Sequence, residues 1–169
     1  MFDFGIKTYR PQWLSGIDAV KDAQGDRLRA LVGRVLTGVW LVWDIESDEW
    51  FCDCPVLFEF EGEQTEINHT KFDDLSITWN SIDPEFSVYW VDFDLRWRQA
   101  PLPELKAVQG QTLLGVELLE WVADRDMASG MVAVSLLFPG GRVTVSNALD
   151  ENGLDFGAPD PHYRRHSLG

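Results

Sequence analysis

Two cysteines, three histidines and 14 basic residues in a chain of 169 set the first limits on this protein. Cys52 and Cys54 are separated by one residue, so on a strand they share a face and form no disulfide framework. A zinc site needs about four ligands at matched spacings, and no second cysteine pair exists, so two reduced thiols and no structural metal are expected. No apolar run approaches the ~20 residues that span a bilayer. The opening Met1–Lys7 lacks a basic stretch followed by an apolar one. These absences point to a cytoplasmic protein with no membrane association. Fourteen Lys and Arg stand against 28 Asp and Glu, a net charge of −14, which disfavours binding to nucleic-acid phosphates. A glycine-rich phosphate loop is also missing, because Gly140-Gly141 falls in a hairpin pattern.

What the chain does have is apolar material and an internal repeat. Hydrophobic residues make up 45% of it, enough for one domain over 1–169. At an offset of 77, Leu28, Ala30, Gly33, Leu36, Gly38, Val39 and Leu41 meet identical residues at Leu105, Ala107, Gly110, Leu113, Gly115, Val116 and Leu118. One inserted residue moves the offset to 78, where Val56, Phe60 and Gly62 meet Val134, Phe138 and Gly140. The offset then returns to 77, and Asp83-Pro84 meets Asp160-Pro161. Three blocks in one order argue for a duplicated unit, copy one at 28–84 and copy two at 105–161. The shared residues are apolar or glycine, so they describe architecture, and the Asp-Pro pairs read as turns in which Asp caps its own backbone.

Each copy reads as a short helical turn, a strand such as Val35–Trp43, and a hairpin. The hairpin of copy one is Pro55–Phe60 and Gln64–Asn68 around Glu61-Gly62-Glu63; in copy two Met131–Phe138 and Arg142–Ser146 flank Pro139-Gly140-Gly141. Outside the copies, residues 1–27 suggest an opening strand through Phe2, Phe4 and Ile6 and a helix over 12–23 that Gly25 ends. The linker, 85–104, carries a one-sided strand pattern over Phe86–Arg98. The last stretch, 162–169, has no periodicity and is expected to be a loose or partner-dependent tail. The fold class is therefore mainly β or α+β: two antiparallel β units in a pseudo-twofold sandwich or barrel, with a short N-terminal helix.

Charge is unevenly placed. Between residues 44 and 94 there are fifteen acids and one base, Lys71, while the other 13 acids and 13 bases cancel. The sharpest difference between the copies lies in one connection, acidic and aromatic at Trp43–Cys54 but small and mixed at Glu120–Gly130. Asp44, Glu46, Asp48, Glu49, Trp50 and Asp53 are accordingly the candidate partner-binding residues, with carboxylates steering a basic protein and Trp50 as anchor. Of the eight tryptophans, Trp40, Trp43, Trp79, Trp90 and Trp97 sit in strand patterns and read as core, while Trp13 and Trp50 read as surface.

Catalytic chemistry finds little to stand on. A Cys52/His69 pair has no local signature, and His162-x3-His166 has metal spacing only on a helix and lacks a third ligand. No catalytic residue, metal or cofactor is expected. The reading is a non-catalytic acidic binding protein that docks a basic protein, as an antitoxin or immunity protein does. In size, acidity and tryptophan content the chain resembles immunity proteins, with no family motif behind that likeness. The alternative is a small-ligand module or hydrolase with its cleft between the two repeats.

Overall fold

A computed structural model describes residues 2–169 of the chain; Met1, the first residue of the expected opening strand, lies outside the described residues. The strands are β1 (Trp13–Ser15), β2 (Leu36–Asp44), β3 (Glu49–Trp50), β4 (Val56–Phe60), β5 (Glu63–Thr70), β6 (Asp74–Trp79), β7 (Leu95–Gln99), β8 (Gly115–Trp121), β9 (Val132–Phe138), β10 (Gly141–Asn147), β11 (Asn152–Asp155) and β12 (Tyr163–Ser167). Two helices, α1 (Ile17–Arg29) and α2 (Pro103–Val108), precede β2 and β8. The protein is thus mainly β, in two antiparallel sheets.

The first sheet runs β1-β6-β5-β4-β2-β3, with β7 on β2 as well; the second runs β11-β10-β9-β8-β12. The run β6-β5-β4-β2-β7 and the run β11-β10-β9-β8-β12 have the same order and direction. Their hairpins and first strands fall where the 77–78 offset puts them. Even the turns agree: Asp83 Oδ1 accepts from Glu85 N at 2.9 Å and Asp160 Oδ1 from His162 N at 2.8 Å. The two Asp carbonyls likewise accept from Phe86 N and Tyr163 N. These aspartates cap their own turns, as the sequence suggests.

Alternation along the strands creates the core. Val39, Leu41, Phe58, Ile67 and Ile77 of the first sheet share one cluster with Val116, Leu118, Val134, Val143 and Val145 of the second and with Leu28 and Leu105 of the helices. One cluster fed by both inner faces fits a sandwich. A second cluster lies on the opposite face of the first sheet, where Val42, Leu57, Leu95 and Trp97 are covered by Phe4, Ile6, Tyr9, Ile82 and Val88.

Four expectations need correction. Residues 2–12 form turns instead of an opening strand: Phe4, Gly5 and Thr8 have positive φ, while Phe4, Ile6 and Tyr9 are buried as a plug. The helix begins at Ile17, because Trp13–Ser15 pairs with β6 and Gln12 N donates to Ser76 Oγ. It also runs through Gly25 to Arg29. A lone glycine costs a helix about 1 kcal/mol, whereas burying Leu28 at its far end contributes about 2 kcal/mol. The linker strand is limited to β7, since Asp92 at φ 68° breaks the extended run before it. Finally, the tail is not loose: Tyr163–Ser167 pairs with the whole of Glu117–Trp121, and Leu168 is buried.

Candidate functional site

The acidic connection is the turn between β2 and β3 together with the stretch after it. Glu46, Asp48 and Glu49 are exposed, and Asp44 and Asp53 are half-buried. Two of the carboxylates hold the turn itself. Asp44 Oδ1 accepts from the backbone N–H of Glu46 and Ser47, and Asp48 Oδ1 accepts from Trp43 Nε1 at 3.0 Å. Arg98 reaches Asp48 at 3.4 Å and lies over the Trp43 ring. Trp121 and Asp126 repeat that Trp-to-Asp bond at 2.9 Å in the second unit, so it is a feature of both turns. Glu46 and Glu49 take part in no ion pair among the described residues.

Trp50 is not the exposed anchor expected from its sequence position. It pairs with Trp43 across the β2–β3 ladder and packs half-buried on the main core. Trp13, the other surface candidate, is half-buried against the outer cluster. Of the five tryptophans read as core, Trp97 is buried, and Trp40, Trp43, Trp79 and Trp90 are half-buried. Asp53 belongs to a different neighbourhood. Burial first, then Glu151 and Asp150, raise its carboxyl above the usual range.

The exposed apolar groups beside the acidic turn come from residues the sequence reading assigned to a strand. Ile45 N donates to Asp94 O at 2.9 Å, which ties the turn to the segment Tyr89–Asp94. There Tyr89 is 76% and Val91 68% exposed, and Phe93 and Phe2 are exposed as well. Phe51 supports them from below, 5.0 Å from the Trp90 ring and 5.1 Å from Phe93, while Phe2 lies 5.7 Å from Trp90. Trp90 Nε1 donates to Phe4 O at 2.6 Å, which anchors the segment on the plug. A recess of about 450 Å³ is lined by Glu46 and residues 89–94. The sequence signal for this ridge was its alternation of aromatic and acidic residues, the same pattern a half-buried strand would show.

The groups considered for catalysis are spent elsewhere. His69 is buried, with Nδ1 on Asn152 Oδ1 and Nε2 on Val132 O, both at 3.1 Å. Burial pushes its imidazole down to about 4, so it is neutral at physiological pH. Burial pushes the Cys52 thiol up to about 11, with Glu151 and Asp53 adding to the effect, and burial likewise raises Cys54 well above the ordinary thiol range. A neutral thiol and a buried imidazole whose ring nitrogens face Asn152 Oδ1 and Val132 O make no activated pair. His162 and His166 sit at and within a strand and contact Asp160 and Glu120 respectively. Among the described residues no three His, Cys, Asp or Glu side chains form a group suited to a metal.

A different polar cluster occupies the outer face of the second sheet. Glu117 accepts from Arg142 Nη1 at 2.6 Å and from Arg165 Nε and Nη2 at 3.0 Å each. Burial alone would raise the Glu117 carboxyl, but the two guanidinium groups outweigh it and hold it below the usual range. Ser135 Oγ, which also receives Arg142 Nη1, bonds Thr144 Oγ1 at 2.8 Å.

Among the described residues no helix is long and apolar enough to cross a membrane. The chain matches no protein-family model, no curated protein and no solved structure.

Proposed function

We propose that the chain is a non-catalytic binding protein that docks a basic protein partner, as an immunity protein or antitoxin does. The observation that carries this reading is the Ile45–Asp94 tie, which sets the exposed ridge Tyr89, Val91 and Phe93 beside Glu46 and Asp92, with Glu49 at the far end of the same β2–β3 turn. Exposed aromatic side chains within a charged rim are the composition of a protein interface, and unpaired carboxylates select a cationic partner and speed its approach. The anchors in this reading are Tyr89 and Phe93, with Phe51 packed under Phe93, whereas Trp50 packs on the main core.

The test is capture of a partner on the immobilised chain from its own cells, followed by hydrogen-exchange mapping of the purified complex. The expected partner is a basic protein whose binding protects residues 44–50 and 89–94. An acidic partner, or protection confined to the second sheet, would overturn the reading. The cleft of the alternative reading, between the two units, is not where the cavity of about 490 Å³ lies: its lining residues all belong to the second unit and the chain after it.

A further inference from the structure

The two units differ most on their outer faces. In the first sheet Trp40 stands opposite Leu57, and Val42 opposite Trp97. The same places in the second sheet hold Glu117 opposite Ser135, and Leu119 opposite Arg165. The first face is sealed by the N-terminal plug and by Ile82 and Val88. Over the second face runs the strap from Asp155 to Asp160, with cavities of about 490 and 430 Å³ on its two sides, both lined by Gly157 and Ala158. The space that the chain fills with its own apolar side chains in one unit is thus open in the other.

The larger cavity lies within the range of about 300 to 1,000 Å³ typical of small-molecule sites. Its walls are Leu114, Leu137, Phe138 and Phe156, and Arg142 and Glu117 supply its charged end. The Arg142 side chain is only 15% exposed. Its Nη1 is taken by Glu117 and Ser135, whereas Nε and Nη2 have no partner among the described residues and are not sealed from solvent. A guanidinium held by one corner offers its remaining N–H pair as a planar fork that matches two carboxylate oxygens. Among the described residues Arg142 is the one basic side chain in the cavity lining, and half-exposed Arg165 shares Glu117 with it from outside that lining. The free fork of Arg142 matches one carboxylate, and a strongly hydrated dianion would be costly to desolvate beside apolar walls.

We propose that this cavity binds an organic monocarboxylate with an apolar body, its carboxylate on Arg142 and its chain or ring against Leu114, Leu137 and Phe156. This site is independent of the acidic ridge and stands or falls separately from it.

The test is a 15N–1H NMR titration of the full chain with sodium octanoate, with octanamide as the neutral match and inorganic phosphate as the small anion. Octanoate is expected to give saturable shifts at Gly115, Leu137, Gly141, Gly157 and Ala158, and octanamide to bind at least tenfold more weakly. Arg142→Met should weaken octanoate at least tenfold. Because losing Arg142 also unpairs Glu117, Leu137→Trp serves as the second variant: it fills the cavity, leaves the ion network intact and should abolish binding. Shifts that do not saturate, equal binding of the amide, saturable binding of phosphate at the same amides, or wild-type affinity in folded Leu137→Trp would each overturn the proposal.

Discussion

Val35 and Thr112 face each other in an isolated antiparallel bridge that joins the two units. Because they are 77 residues apart, each is the other's counterpart, and the hydrogen bonds around them come in reciprocal pairs. Leu36 N donates to Gln111 O and Leu113 N to Arg34 O, both at 2.9 Å; Gly33 N donates to Leu113 O and Gly110 N to Leu36 O at 2.9 and 2.7 Å. The contact is self-complementary in the way a twofold dimer interface is.

Gly33 and Gly110 make the bend into this bridge at φ 92° and 89°, with nothing within 4 Å of where a side chain would start. Only backbone strain opposes a side chain there. Alanine at either position is therefore expected to cost about 1–2 kcal/mol, the ordinary penalty for a left-handed residue. Urea unfolding of the two variants should give costs that agree; a large effect at one glycine and none at the other would show that the two bends are not equivalent.

A second junction has no symmetry. Asn152 is buried at the start of β11 and gives its Nδ2 to Cys52 O, Cys54 O and Asn68 Oδ1, while its Oδ1 accepts from His69 N and faces His69 Nδ1. One side chain thus satisfies polar groups of two segments of the first unit, the stretch 52–54 and β5. Asn152→Ala leaves several of them buried and unpaired, and is expected to cost about 3 kcal/mol or more in urea unfolding. A loss below about 1 kcal/mol would mean that water replaces the amide without difficulty.

The repeat was visible in the sequence because it rests on local requirements: glycines at positive φ and apolar residues alternating in strands. The plug and the last strand were not. Phe4, Gly5 and Ile6 alternate like a strand, but their conformation is decided by contacts with residues such as Trp90, 86 positions away. Tyr163–Ser167 is polar on nearly every residue, and only its ladder with β8 makes it a strand. The acidic half of the candidate site could be read from composition. Its apolar half could not, since Asp92 at φ 68° breaks the extended run and residues 91–94 are all exposed, apolar and acidic alike.

His69 makes stability depend on pH. Its folded value of about 4 lies below its ordinary 6.5, so the unfolded chain binds the extra proton. The stabilisation is complete above pH 6.5 and is lost as pH falls toward 4, by up to about 1.4 kcal/mol per unit and about 3 kcal/mol in all. Urea midpoints measured from pH 7 to 5 should fall in the wild type and fall less in His69→Gln. Parallel curves would place the protonation elsewhere.

The thiols should be slow. At pH 8 a group titrating near 11 is thiolate in roughly one molecule in a thousand, against one in ten for an ordinary cysteine near 9. Cys52 should therefore react with iodoacetamide about a hundredfold more slowly in the native protein than in urea, and Cys54 more slowly again. Native Cys52 labelling at the unfolded rate would contradict the burial that raises it.

The acidic ridge separates two kinds of kinetic effect, given a partner. Glu46 and Asp92 lie at its rim and Glu49 at the far end of the β2–β3 turn, so Glu46→Gln, Glu49→Gln and Asp92→Asn together should slow association and flatten its salt dependence while leaving dissociation nearly unchanged. Asparagine tolerates the left-handed backbone at Asp92, so the fold is kept. Tyr89 and Phe93 are the apolar contacts, and Tyr89→Ser with Phe93→Ser should instead speed dissociation, by about tenfold for each 1.4 kcal/mol lost. Stopped-flow association across a salt series and surface-plasmon dissociation rates resolve the two. If both folded variants keep wild-type rates, the ridge is not the docking surface and its carboxylates act only on solubility.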